Sequence, residues 1–204
     1  MNDSRVALSV IASINVGLIV ARISKPTEVR SKGHLKYRYI TLSSAENGMA
    51  IDESKLREFE AEKEVDEKFI TRLDDIVIGI SSPHSIVQID KQAEGLVIPS
   101  QFAVIRTTSE AVLPKYLIAY MNSDEVREKI EQMSRGVLVK TINAVALQSL
   151  EIKMPNMTKQ NKIAKLRELL NEENRLNLQY AGLVKKKNNY YLNNFVSEGG
   201  NKNG

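Results

Sequence analysis

The stretch "SRGVLVKTINAVALQSLEIKMPNMTKQNKIAKLRELL", Ser134 to Leu170, changes character halfway. Through Met154 it is apolar and rich in β-branched residues, and Pro155 closes it. From Thr158 it becomes a charged run of helix formers with leucines at helical spacing, free of proline and glycine until Gly182. Such a run predicts a helix, with Thr158 as its N-cap. Carried to about Val196, the helix would span ~58 Å at 1.5 Å per residue, more than one small domain can cover. Ile163, Leu170, Asn177, Val184 and Tyr191 recur every seven residues, and Leu166 and Tyr180 add a second position of the same face. Leu169, Leu176, Leu183 and Tyr190 flank them. This is coiled-coil spacing, and such a face must be buried against another helix. Nothing else in the chain is long enough to be that partner, so the spacing predicts association with another molecule.

Working outward, 204 residues can hold one domain of ordinary size plus an appendage. The pattern upstream of the helix predicts an α+β fold. "KYRYITL", Lys36 to Leu42, alternates as a strand does, and "DIVIGIS", Asp75 to Ser81, reads as a buried strand ending in the turn "SSPHS". Ser54 to Leu73 fits a short helix or an exposed strand. "GLVIPSQFAVIRT" reads as two strands bent at Pro99. Pro114 opens a helix with Tyr116, Leu117, Tyr120 and Met121 on one face. Asn122 to Asp124 breaks it, with Ser123 capping a second helix that Gly136 stops. Strands around "VLVKTI" and "LEIKM" follow. The boundaries drawn are a domain over 1–155, a long helix over 156–196 and a flexible tail over 197–204.

Composition excludes several kinds of function. There is no cysteine, hence no disulfide framework, thiolate catalysis or thiolate zinc site, which suits a reducing cytosol. His34 and His84 are too few and too far apart to suggest a metal site. With no tryptophan and 5% aromatics, a wide base-stacking platform is not expected. Val6 to Ile23 is the one stretch resembling an export signal. Ser9, Ser13 and Asn15 interrupt it, and it is shorter than the ~20 apolar residues of a spanning helix, so it reads as the first buried helix and strand of a cytoplasmic protein.

The net charge of +4 conceals a segregation along the chain. Arg22 to Arg38 holds six basic residues and one acid; Glu46 to Asp75 holds eleven acids and five bases; beyond Pro155 there are nine bases and four acids. Segregated basic segments suit phosphate neutralisation. Catalytic motifs are missing. No phosphate-binding glycine loop, Gly-x-Ser-x-Gly elbow or Asn-Pro-Pro-aromatic motif occurs. Glu151-Ile152-Lys153 has the Glu-x-Lys form of some metal-dependent nucleases, but the second carboxylate that chemistry needs on an adjacent strand has no candidate nearer than Asp124, on a predicted helix. A strand with one polar face produces Glu-x-Lys on its own.

Taken in order, "LDDIVIGIS", "LVIPSQFAVIRT", "LPKYLIAYMNSDEVREKI" and the opening stretch resemble the DNA specificity (S) subunit of type I restriction–modification systems. That family has a Leu-x-x-Gly-Asp-Ile strand, whose last four positions fall on Leu73 to Ile76 here, and a helix ending near a glycine, here Gly136. A Lys-x-Ile-x-x-x-x-Leu run matches Lys140 to Leu147. Ile-x-x-Pro-x-x-x-x-Gln, which opens a long helix, matches Ile152, Pro155 and Gln160. Gly17 and Arg22 match the weaker N-terminal part. Asp74 departs from the family's glycine, and Asn156 replaces a second proline.

The resemblance implies one mixed α/β target recognition domain followed by a coiled-coil helix for dimerisation and methyltransferase docking. Family members usually carry two such domains separated by two antiparallel helices, so this chain resembles a half-subunit whose missing helix comes from a second copy. It implies no catalysis and no cofactor in the chain itself. Double-stranded DNA, methyltransferase subunits carrying S-adenosylmethionine and a translocating nuclease subunit are the implied partners. For DNA contact the candidates are Arg22, Lys25, Lys32, Lys36 and Arg38 in one segment and Arg135, Lys140 and Asn143 in another, suited to phosphates and base edges. Ser100 and Gln101 are weaker candidates. Two other readings share these residues: a coiled-coil adaptor that binds no DNA, and the recognition subunit of a bifunctional restriction enzyme outside type I.

Overall fold

A computed structural model of the chain describes residues 4–24, 35–46, 48, 50–134 and 141–199. Strand β1 (Ser4–Ala7), the one-turn helix α1 (Leu8–Ile11) and β2 (Ala12–Val16) come first, then β3 (Leu35–Tyr39) and β4 (Arg57–Ala61). Next are β5 (Ile76–Gly79), β6 (Ile86–Gln88), β7 (Phe102–Thr107), α2 (Pro114–Met121) and α3 (Asp124–Met133). The chain ends in α4 (Ala144–Gln148), β8 (Glu151–Met154) and α5 (Met157–Gly199). By contacts it divides into a unit over Met1–Ala164 and a second over Lys165–Gly204, so the first two turns of α5 belong with the domain.

The apolar run of β5 forms the middle of the first unit. A four-stranded antiparallel sheet has the order β2-β7-β5-β6. Successive side chains on a strand point to opposite faces. Ile76, Ile78, Ile86, Ala103 and Ile105 accordingly enter one core, with Tyr116, Leu117, Met121, Val126 and Ile130 of α2 and α3. Val77, Val87, Phe102 and Val104 enter a second core, with Ile40, Ile51, Leu96 and Ile98. A sheet covered on both faces needs unbroken apolar strands, which is why Asp75 to Ser81 lacks polar alternation. Two smaller antiparallel pairs, β1 with β8 and β3 with β4, complete the unit.

The structure alters several sequence expectations. Ser54 to Leu73 contains the exposed strand β4, flanked by single 3-10 turns. Leu96 to Pro99 is buried but pairs only through isolated bridges, leaving β7 as the one strand of "GLVIPSQFAVIRT". Ser123 is the N-cap residue of α3, as expected, but its side chain makes no cap bond, because its hydroxyl donates to the Tyr120 carbonyl (2.7 Å). The strand expected around "VLVKTI" falls mostly outside the described residues, as does Gly136; Thr141 forms a single bridge to Ser81, and the unanticipated α4 follows. The N-cap of α5 is Asn156, whose Oδ1 accepts from the Lys159 N–H (2.9 Å), so Thr158 lies inside the helix. The helix also continues past Val196 to Gly199.

Asp74 explains its own departure from the family pattern. Its φ is +66°, the left-handed region that glycine adopts freely and other residues adopt at a cost. Asp tolerates that region better than most, and Asp74 Oδ1 accepts from Gln88 Nε2 (2.7 Å). Asp74→Ala keeps the strain and loses the bond, so it should destabilise by about 1–2 kcal/mol in urea unfolding. Asp74→Gly trades the bond for relief of strain and should stay within about 0.5 kcal/mol of the parent. An alanine variant as stable as the parent would mean that the bond from Gln88 contributes nothing.

Candidate nucleic-acid interface

Of the eight residues expected to contact DNA, Lys25, Lys32, Arg135 and Lys140 lie outside the described residues. Arg22 ends a 3-10 turn over Val20–Arg22 and is exposed. Lys36 and Arg38 are exposed on β3, but β4 places Glu60 directly opposite Lys36 and Glu58 opposite Arg38. Arg38 Nη1 also lies 3.4 Å from Glu53 Oε2. Residues opposed across antiparallel strands interact, so the acidic segment partly neutralises the basic one. Two cations of the basic segment, Lys36 and Arg38, thus face carboxylates of the acidic one. Exposed pairs of this kind contribute little and exchange readily, so both cations remain available to a phosphate at the cost of a carboxylate nearby.

Asn143 has a local task. Its Oδ1 accepts from the Ala146 N–H (2.8 Å) and caps α4, which leaves its side-chain amide donor on an exposed residue. Glu151 and Lys153 are each engaged elsewhere. Arg5 Nη1 is 3.2 Å from Glu151 Oε2, and Lys153 Nζ is 2.6 Å from Glu125 Oε2. Hydrogen bonds from Lys153 and Lys129 hold the Glu125 carboxyl down to about 2. Among the described residues, no three His, Asp or Glu side chains are grouped to hold a metal ion. No described helix is long and apolar enough to cross a membrane.

One feature of the first unit escaped the sequence reading. A cleft of about 470 Å³ lies between the Leu42–Gly48 turn, the Ser81–Ser85 turn and Arg127 of α3. Arg127 Nη1 donates to the His84 carbonyl (3.0 Å) and Nη2 to Asn122 Oδ1. Ser82 Oγ donates to Glu131 (3.1 Å). His84 is buried, and its Nδ1 donates to the Gly79 carbonyl (2.8 Å), leaving Nε2 with no partner. In the sequence Arg127 is one charge among many on a polar helix, and "SSPHS" reads only as a turn. No local signal joins them.

The second unit consists of α5 beyond Ala164. Leu166, Leu170, Asn177, Tyr180 and Tyr191 are exposed and Val184 half-buried, while the flanking Leu169, Leu176, Leu183 and Tyr190 are also exposed. Leu183 and Tyr190 each keep 64% of their surface open. Ile163, the first residue of the heptad column, belongs to the first unit and packs against its core. It is therefore engaged by the domain's own interior. The remaining column carries apolar surface that no described residue covers, larger than isolated exposed leucines account for.

No protein-family model matches the chain, and no curated protein sequence matches it. Solved structures do match. A structure concerned with complex assembly and conformational transition of the type I R-M system superposes with TM-score 0.62 at 16% identity, covering 93% of this chain and 43% of that one. The HsdS subunit from Thermoanaerobacter tengcongensis gives 0.54 at 15% identity, covering 83% and 37%. The type I restriction–modification S subunit from M. genitalium gives 0.52 at 14%, covering 83% and 39%. The chain thus spans less than half the length of each. At these identities the likeness is one of fold, and the mixed α/β unit with its long C-terminal helix has the fold of type I S subunits.

Proposed function

We propose that this chain is a non-catalytic DNA-recognition subunit of a type I restriction–modification complex, reading duplex DNA through its first unit and assembling through α5. The observation that carries the proposal is the uncovered leucine-rich face of α5 on a domain of S-subunit fold. A helix with that face needs helical partners. A second copy of the chain supplies one, antiparallel, and methyltransferase subunits that carry S-adenosylmethionine dock beside it. A translocating nuclease subunit completes the restriction activity. Pairing Asn177 with Tyr180 of the second copy lets two polar groups in the seam satisfy each other and sets the register.

A two-fold dimer presents two identical recognition units, so its site is an interrupted palindrome. Methylome sequencing of a host carrying the chain with its methyltransferase should return two inverted copies of one half-site around a fixed spacer. An asymmetric bipartite motif would mean that a different S chain supplies the second half. Binding should weaken steeply between 50 and 200 mM salt, by about 10³-fold or more if some six phosphates are neutralised. Arg22→Ala should weaken binding to all sequences and reduce the salt slope by about one unit if it contacts phosphate. A flat salt response in filter binding would instead favour the coiled-coil adaptor.

A further inference from the structure

The cleft walled by the Leu42–Gly48 turn, the Ser81–Ser85 turn and Arg127 carries charges of both signs. Arg127 is half-buried, and two acceptors, the His84 carbonyl and Asn122 Oδ1, hold its guanidinium in place. Burial lowers its pKa from the ordinary arginine value, while the nearby Glu131 and Asp124 favour the cation. A Cβ at Gly48 would lie 3.9 Å from Arg127 Nη2, so the backbone at Gly48 passes close beside the guanidinium. Glu46 lines the same cleft and is exposed.

A carboxylate beside a cation repels phosphate, so a cleft of mixed sign suits the DNA backbone less well than a wholly basic one. A base edge is different, since it sets donors and acceptors side by side. Arginine donates bidentately to guanine O6 and N7, and glutamate accepts from cytosine N4; those two bases face each other in one pair. A guanidinium already fixed by two acceptors also loses little freedom when it binds. We propose that this cleft reads one G·C pair of duplex DNA in the major groove, with Arg127 donating to guanine and Glu46 accepting from cytosine. His84 serves through its carbonyl as the support of Arg127. The inference rests on the DNA-recognition reading and adds a base contact to it.

Selection of the full chain against a randomised duplex library tests it. The parent should select a motif containing an invariant G·C pair. Arg127→Lys keeps the charge but loses the planar fork, and should lower discrimination at that one position by about 5- to 150-fold, with the salt slope unchanged. Glu46→Gln alters an exposed turn residue outside both cores and should relax the same position; it keeps the test decisive if the arginine variant fails to fold. Weakening by Arg127→Lys that is uniform over all sequences, with a shallower salt slope, would make Arg127 a phosphate contact and overturn the inference. A motif unchanged in both variants would overturn it while leaving DNA recognition standing. A parent chain that selects no sequence at all would overturn both.

Discussion

Asp75→Ala should destabilise the first unit by about 3–5 kcal/mol, read as a lower urea midpoint at unchanged slope. Asp75 is 1% exposed at the entrance to β5. Its carboxylate accepts from Arg106 Nε (2.8 Å) and Nη2 (2.7 Å), and from the Arg72 N–H (2.8 Å). Arg106 Nη2 also donates to the Ile70 carbonyl (2.9 Å), so one ion pair ties β7 to the turn before β5. The hydrogen bonds from Arg106 to Asp75 raise the arginine's pKa, against the burial that lowers it. Removing the carboxylate leaves the largely buried guanidinium with the Ile70 carbonyl in place of an ion-pair partner and the Arg72 N–H without its acceptor. The Arg106 side chain keeps 20% of its surface open, so water can recover part of the loss and the lower end of the range is expected. Asp75→Asn retains an acceptor and should fall between parent and alanine. A loss below about 1 kcal/mol for Asp75→Ala would show that the pair contributes little beyond its own desolvation.

Gln160→Ala should cost about 3 kcal/mol, because one buried amide satisfies three backbone groups. Gln160 Oε1 accepts from the Leu113 N–H (2.9 Å), while Nε2 donates to the carbonyls of Ala111 (2.9 Å) and Pro155 (3.0 Å). The residue is 1% exposed in the second turn of α5. It fastens the root of the long helix to the segment entering α2 and to the proline that ends β8. The polar helix follows the last strand directly because its first turns are part of the domain. In Gln160→Glu the new carboxyl would still accept from Leu113 but, once ionised, could not donate to either carbonyl. Ionisation is thus disfavoured in the folded state and the folded pKa raised. The deficit should therefore be smallest below the ordinary carboxylate range and grow as pH rises through it. Thermal melts at pH 4 and pH 7 read the difference. A Gln160→Ala variant that melts with the parent would mean water replaces the amide.

The candidate interface was only partly legible in the sequence. Lys36 and Arg38 lie on a strand that the alternation of the sequence predicts, yet nothing local says that Glu60 and Glu58 oppose them. The sequence offers Asn143 as a contact residue, and its capping of α4 is visible only with that helix in place. The fold was more legible. The buried strand after Asp75, the helix opened by Pro114, the break at Asn122 and the long helix after Pro155 all follow from residues within one or two turns of each other. Local periodicity and a missing proline N–H are properties of short segments, and a sequence displays them directly. Gln160 stood out as a family position, but its three partners lie up to 49 residues away. The cleft needs a turn near residue 45, another near 83 and a side chain at 127. Those groups meet because β5 and β6 share one core with α3 and the other with Ala45, a burial free energy that belongs to the whole unit and to no segment of it.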